Sequence, residues 1–448
     1  MKYSNSNFRI EDVIFQGNIE DDCLFVDWCV LYECNYKCSY CFGQNTLENA
    51  VFTPIEKMKH AVDQLFSIEK KRYCFTITGG EVTYYPYLFD LIDYIFSFNK
   101  NVSVYIITNG SRSVLFFDSL FNKYYNLDLT ITISIHIEYA KIEHIKDIIV
   151  TANKYNKRIR LSLMLHTNMH KEVQIFFESL MILRNEYEFD MNLAELRSGD
   201  FFDKVDPRYD EKYIKWIDDT VDMINDKKFI KDKLKIVPWG PKPYFNLNNG
   251  ETNIRLDHYK AMRNLQKRFT NFYCCGGINA IRINTDGSYA GGVCKDFPVI
   301  GNIYEDKINY EKLFNFTKCT LYECGCRAND CIPKFKKLED AIVYTDHIKI
   351  NYLLQAFLYT DKKLDNYILK NNIFTKELID SIAWWIPIRK WRDNFRSRFA
   401  IADQTRPDQT RPDQTRPDLI NTCNDYICFY HNSKYKKIQP MLQLQIAA

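Results

Sequence analysis

Between residues 24 and 210, apolar β-branched runs alternate with segments of helical period, and few folds accommodate that order. The runs are Leu24–Tyr32, Tyr73–Thr78, Val102–Thr108, Leu129–Ile135, Arg160–Leu165 and Met191–Leu196. Pro54–Lys71, Tyr87–Phe98, Ala140–Lys154 and Lys171–Glu186 have the helical period between them. Strands that alternate with helices predict βαβ units and a parallel sheet. Six such strands make most of a barrel. The expected fold is α/β, a partial (β/α)6 barrel of the TIM type, with a small cysteine-rich β-hairpin and helix module and a helical tail after it. In such barrels the working residues gather at the C-terminal ends of the strands.

The end of the first run delivers Cys34-Asn-Tyr-Lys-Cys38-Ser-Tyr-Cys41. Three thiols in one loop can wrap around a single metal centre. A cubane iron–sulfur cluster normally takes four thiolates, so three leave one iron open, and an open metal position is where a substrate or cofactor binds. The chain has 15 cysteines in 448 residues. Met1 to Ile10 lacks the apolar core of a signal peptide, and no apolar stretch is long enough to span a membrane. In a reducing cytoplasm, clustered cysteines point to metal before disulfides. A net charge of +3 is too small to imply a nucleic-acid partner.

The Cys-x3-Cys-x2-Cys spacing, with Tyr40 just before the last thiol, resembles the signature of the radical S-adenosylmethionine enzymes. So does Thr78-Gly79-Gly80-Glu81, one βα unit later. The resemblance implies that Cys34, Cys38 and Cys41 ligate a [4Fe–4S] cluster, and that Gly79, Gly80 and Glu81 hold the amino group of S-adenosylmethionine on its open iron. It further implies that Tyr40, Asn109 of Thr108-Asn109-Gly110, and Ser134 border the cofactor. His136, Met164, His166, Glu195 and Arg197 lie near later strand ends and are candidates for the same cavity. The implied activity is reductive cleavage of S-adenosylmethionine to a 5′-deoxyadenosyl radical that takes hydrogen from a substrate. This is the work of an oxidoreductase or maturase, fed by an electron donor such as flavodoxin or ferredoxin. The substrate is a peptide or protein, or a cell-envelope sugar. A non-catalytic iron–sulfur or zinc protein on the same fold is the rival reading.

A second group comprises Cys274, Cys275, Cys294, Cys319, Cys324, Cys326 and Cys331. Asp286-Gly287 between two β-like runs is a hairpin signal, expected to bring Cys275 and Cys294 toward one end. The region resembles, more loosely, the SPASM or twitch auxiliary-cluster module. The resemblance implies one further [4Fe–4S] cluster, with Cys275, Cys294, Cys324 and Cys326 the first candidates as ligands and Cys319 a contender. Structural zinc or free thiols remain alternatives.

These readings divide the chain into a lead-in (1–22), the barrel (23–210), a connector (211–272), the auxiliary module (273–335), a helical region (336–402), a spacer (403–418) and a tail (419–448). The spacer repeats Asp-Gln-Thr-Arg-Pro three times, and a proline every fifth residue prevents regular structure. Trp384–Phe399 mixes aromatics with five basic residues, a pattern suited to peripheral contact with the inner face of a membrane. The expected location is cytoplasmic, with that contact as an addition.

Overall fold

The β-branched runs form strands because their side chains pack on a pleated surface, and they run parallel because a helix returns the chain each time. A computed structural model describes residues 9–17, 23–41, 43, 45–199, 204–225, 244–248, 252–254, 267–324 and 332–358. Strand β1 (Val13–Gly17) precedes the barrel strands β2 (Cys23–Leu31), β3 (Arg72–Gly79), β4 (Val102–Thr108), β5 (Leu129–Ile135), β6 (Ile159–Leu165) and β7 (Asp190–Glu195). Helices α1 (Ile55–Phe66), α2 (Leu88–Ser97), α3 (Val114–Lys123), α4 (Ile142–Lys154) and α5 (His170–Arg184) make the crossovers. Each neighbouring pair from β2 to β7 is parallel. The six strands form an open, partial barrel.

The faces of this sheet divide by parity. On one, Val26, Trp28, Phe75, Ile77, Val104, Ile106, Ile131, Ile133, Leu161 and Leu163 are buried. The helices turn Met58, Leu65, Ile92, Phe117, Ile148 and Val173 inward to complete that layer. The other face carries Asp27, Thr76, Tyr105, Thr132, Arg160 and Asn192, brought into line by the strand register. An apolar face for the helices and a polar face for the concavity is the division expected of a half-barrel that works on its inner side.

After β7, β8 (Arg197–Ser198) and β9 (Lys204–Val205) pair, and α6 (Glu211–Asn225) follows. Strands β10 (Tyr244–Leu247), β11 (Thr252–Ile254) and β12 (Tyr273–Cys274) precede the hairpin β13 (Ala280–Ile283) and β14 (Ser288–Ala290), with Gly287 at φ 85° in its turn. Strand β13 extends the barrel sheet by pairing in parallel with β2, and the Arg282–Asp27 ion pair at 2.8 Å fastens it there. The remaining strands are β15 (Gly301–Asn302), β16 (Thr317–Lys318) and β17 (Lys334–Phe335), with helix α7 (Leu338–Leu358) after them. A second sheet, in the order β11-β10-β1-β17-β12-β16, contains β1 and the strands that flank the later cysteines. Among the described residues no helix is long and apolar enough to cross a membrane. Cys326, Cys331, the Trp384–Phe399 segment, the Asp-Gln-Thr-Arg-Pro repeats and the tail lie outside the described residues.

Gly79 and Gly80 fix how closely β3 approaches the cysteine loop. The Gly80 N–H donates to Leu31 O at 2.8 Å, and the Glu81 N–H donates to Glu33 O at 2.9 Å. A Cβ at Gly80 would stand 2.0 Å from Glu33 O, and one at Gly79 would stand 2.1 Å from Leu31 O. Both obstacles are backbone and cannot rotate away. Gly80→Ala is therefore expected to lose about 1–3 kcal/mol of stability, the usual cost of overpacking, and to load less iron. Chemical denaturation with an iron assay checks this, and a variant matching the wild type in both would contradict it.

Candidate functional site

The loop that leaves β2 is closed on itself before any partner is considered. The Cys34 N–H donates to Asn45 O at 3.1 Å, and the Cys41 N–H donates to Cys38 O at 3.0 Å. Cys38 is buried, Cys34 half-buried and Cys41 exposed. The three thiols are near enough to act on one another electrically. Burial first, then the charges of Glu138, Cys41 and Cys34, push the Cys38 thiol up to about 12. Cys34 is also raised, by burial first and in part by Glu81 and Cys41. Two N–H groups face the Cys34 sulfur, Tyr36 N at 3.4 Å and Asn109 Nδ2 at 3.7 Å.

These observations test the fit to an iron–sulfur cluster. Among the described residues no three His, Cys, Asp or Glu side chains close on a point as they do around a single bound ion. A cubane is ligated at its corners, so its thiolates stand apart around a larger body than one ion. The donor set is all sulfur, burial first of all holds the Cys34 and Cys38 thiols up, and N–H donors face the Cys34 sulfur. A bound iron–sulfur group would take those sulfurs as thiolates, with proton release on loading. The residues fit.

Glu81 has a structural task that the sequence did not disclose. It is fully buried, and its Oε1 accepts from Thr83 N at 3.0 Å, Thr83 Oγ1 at 2.5 Å and Thr108 Oγ1 at 2.6 Å. Its Oε2 accepts from Asn109 N at 2.6 Å. Burial pushes this carboxyl up, against the pull of those donors. One carboxylate thus ties the end of β3 to the end of β4. Asn109 in turn donates to Asn35 Oδ1 at 2.9 Å, which brings the end of β4 onto the cysteine loop. The sequence argument gave the paired glycines to a ligand; their closest neighbours here are the backbone of Leu31 and Glu33.

The next strand ends complete the mouth. Tyr40 stacks on His136, with ring centroids 5.8 Å apart, and its hydroxyl donates to His136 Nδ1 at 2.6 Å when the ring is neutral and protonated at Nε2. Tyr36 stacks on Tyr139 at 4.2 Å, and the Tyr139 hydroxyl accepts from Lys37 N. Glu138 accepts the Ser39 N–H on both oxygens, at 2.9 and 3.2 Å, and lies 3.3 Å from His166 Nε2. His166 Nε2 is also 3.1 Å from Ser39 Oγ. Burial pushes Glu138 up, but Ser39 and His166 outweigh it and hold the carboxyl below its usual range. Ser134 is half-buried on the same face as Thr132. The hydroxyls of Thr132 and Thr167 are buried without a hydrogen-bond partner, which suits a site that takes a polar ligand. Met164, Glu195 and Arg197 stand on or beside β6 and β7. Glu138, Tyr139 and Ser39 were missed by the sequence argument, because nothing in a residue's type marks which loop it will touch.

A profile of the Radical SAM superfamily matches residues 28–191, the segment that holds the cysteine loop and the ends of β3, β4, β5 and β6. Residues 28–191 are a radical SAM domain. Members of this superfamily are enzymes that use a [4Fe–4S] cluster and S-adenosylmethionine. The chain is 32% identical over 80 residues to the antilisterial bacteriocin subtilosin biosynthesis protein AlbA of Bacillus subtilis (strain 168). That stretch is 18% of this chain and spans 17% of AlbA. Native anSMEcpe with bound AdoMet and a Cp18Cys peptide aligns over 65% of this chain and 80% of its own, at 14% identity and a TM-score of 0.43. SuiB of Streptococcus suis bound to S-adenosylmethionine aligns over 64% and 62%, at 13% identity and a TM-score of 0.38.

Four of the later cysteines meet at one buried apolar cluster. Cys274, Cys319 and Cys324 share one buried cluster with Phe245, Phe269 and Ile332, and Cys294 packs against it. A hydrogen bond joins Cys274 and Cys319, which pushes Cys274 up and Cys319 down. Cys294 is raised to about 12, by burial first and then by the charge of Cys324. Cys275, a first candidate from the hairpin argument, is buried beside this group with its N–H on Pro333 O. Burial pushes its thiol up, against the pull of Lys334. Cys275 directly follows β12, whose last residue is Cys274.

Burial holds the His136 imidazole down at about 4, although Glu138 pulls it up. The folded value lies below the unfolded one of about 6.5. His136 is therefore expected to contribute stability above pH 6.5 that is lost as pH falls through 4. Urea unfolding of the metal-free protein from pH 7 to 4 should show that loss, and His136→Gln should lessen it. Parallel curves for the two proteins would contradict this reading.

Proposed function

We propose that the chain is a radical S-adenosylmethionine oxidoreductase whose substrate is a peptide or protein, with a second iron–sulfur cluster in a SPASM- or twitch-like module. The observation that carries the reading is the convergence of the Cys34–Cys41 loop with the ends of β3, β4 and β5 at one mouth of the sheet. A [4Fe–4S] cluster with S-adenosylmethionine supplies, when bound, one-electron cleavage of the sulfonium and hydrogen-atom abstraction from the substrate.

The chain's own residues arrange the rest. Cys34, Cys38 and Cys41 hold the cluster and leave one iron without a protein ligand. Asn109 and the Tyr36 N–H donate toward the Cys34 sulfur and stabilise its thiolate. Glu81 sets the spacing of the β3 and β4 ends, where Gly79, Gly80 and Asn109 would hold the amino end of S-adenosylmethionine. Glu138 and His166 hold Ser39, and with it the middle of the cysteine loop. Tyr40 on His136, with Ser134 below, offers an aromatic and hydroxyl surface to the nucleoside. The polar concave face receives the substrate. Support for a peptide substrate comes from the stretch shared with AlbA, a protein named for bacteriocin biosynthesis.

The second cluster is assigned to Cys274, Cys294, Cys319 and Cys324, the four thiols that the apolar cluster brings together. All four are sulfur donors inside an apolar shell, the chemistry a cubane takes.

Two measurements test the reading. Anaerobically reconstituted protein, reduced with S-adenosylmethionine present, should release 5′-deoxyadenosine, and Cys38→Ala should release none. Loaded wild-type protein that makes no 5′-deoxyadenosine would favour a non-catalytic iron–sulfur protein. The Cys34→Ala/Cys38→Ala/Cys41→Ala variant should retain about four irons, one cubane's worth. Complete loss of iron from that variant would remove the second cluster.

A further inference from the structure

The concave face of the sheet changes character toward its last strand. On β5, β6 and β7 the register sets Thr132 beside Arg160 and Arg160 beside Asp190. Arg160 Nε donates to Asp190 Oδ2 at 2.6 Å, so the cation of this row meets an opposite charge inside the row. The Thr132 hydroxyl beside them is buried without a hydrogen-bond partner. Two residues further along each strand, the next row on the same face is Ser134, Ser162 and Asn192. All three are uncharged and half-buried. Met164 and Ala194 pair in the row above. Glu195, the last residue of β7, is the partner of Leu165 and falls on the opposite face.

Asn192 has a fixed orientation. Its Nδ2 donates to Ser162 Oγ at 3.1 Å and to Leu193 O at 3.5 Å. A main-chain carbonyl can only accept, so the nitrogen of the amide is on that side. Among the described residues these are the hydrogen bonds of this side chain, and both leave from the nitrogen. Oδ1 therefore remains an acceptor. Ser162, whose oxygen takes the amide proton, keeps its own O–H to give.

An acceptor on one strand and a donor on its neighbour fit a ligand that carries both groups on one side. An extended peptide residue does so, because its N–H and C=O point the same way toward a neighbouring strand. A carboxylate or phosphate gains little here, since Arg160 in the row below is already matched by Asp190. Strand β7 ends the nine-stranded sheet, and among the described residues no further strand pairs with it. Ser134, assigned to the nucleoside, stands at one end of the row, and Asn192 at the other.

We propose that Ser162 and Asn192 seat a main-chain amide of the substrate peptide, with Asn192 Oδ1 accepting its N–H and the Ser162 hydroxyl donating to its C=O. The proposal rests on the reading of the chain as a radical S-adenosylmethionine enzyme with a peptide substrate, and it names the residues that recognise that substrate by its backbone.

The test uses the full chain, anaerobically reconstituted and held with S-adenosylmethionine, and the probe N-acetylalanine N-methylamide. A second probe, O-acetyllactic acid N-methylamide, has an ester oxygen in place of the central N–H. Saturation-transfer nuclear magnetic resonance measures the dissociation constant of each. Wild-type protein should bind the amide about three- to tenfold more tightly than the ester, the range that one neutral hydrogen bond supplies. Asn192→Leu should erase that preference, and Asn192→Ala carries the same test should the leucine variant fail to fold. Asn192→Asp, which keeps an acceptor in place, should retain it. The response of the cluster's electron paramagnetic resonance signal to S-adenosylmethionine is read on frozen aliquots of the same samples. A wild-type cluster that responds, in a protein that binds both probes equally or neither, would overturn this seat and leave the radical chemistry standing. A variant that loses the cluster's response together with the amide would assign Asn192 to the cofactor and strike out its role toward substrate. Tighter binding of methyl glucoside than of the amide would point to a sugar substrate and contradict the proposal. A wild-type cluster indifferent to S-adenosylmethionine would remove the underlying reading, and this proposal with it.

Discussion

The site depends on a backbone contact, the approach of Gly79 and Gly80 to Leu31 and Glu33. Two strands of a parallel sheet ordinarily part at their ends as each enters its own loop. Here the hydrogen bonds continue past the ladder, from Gly80 to Leu31 and from Glu81 to Glu33. The start of the cysteine loop is therefore held by main chain. That contact is possible only where neither residue of the pair has a Cβ. It explains why the glycines precede Glu81 directly: the same two residues that close the gap lead the carboxylate into its buried position between β3 and β4.

From that contact the constraint spreads along the strand ends. Glu81 collects donors from Thr83, Thr108 and Asn109, and Asn109 then reaches Asn35 in the loop. On the far side Glu138 and His166 take Ser39, while His136 and Tyr139 receive the rings of Tyr40 and Tyr36. The loop is gripped at its root, its middle and its aromatic residues. These contacts order the backbone of the loop through the fold itself.

Much of this was legible in the sequence, for identifiable reasons. The six barrel strands are β-branched runs bounded by polar turns, and the observed limits fall within about a residue of those runs. The cysteine loop was legible because its ligands are adjacent in sequence. The later cysteines were legible as a group, but spacing does not tell adjacent Cys274 and Cys275 apart. Contacts that join distant loops, such as Glu138 to Ser39, leave no mark in a single sequence.

The central claim is that three thiolates of one loop leave an iron free to bind S-adenosylmethionine. It is tested most directly by electron paramagnetic resonance of the reduced, reconstituted protein, recorded with and without S-adenosylmethionine. The account predicts that the ligand reshapes the signal of the cluster at Cys34, Cys38 and Cys41, and that this response disappears in a variant lacking those thiols. A fully loaded protein whose spectrum ignores S-adenosylmethionine would contradict it.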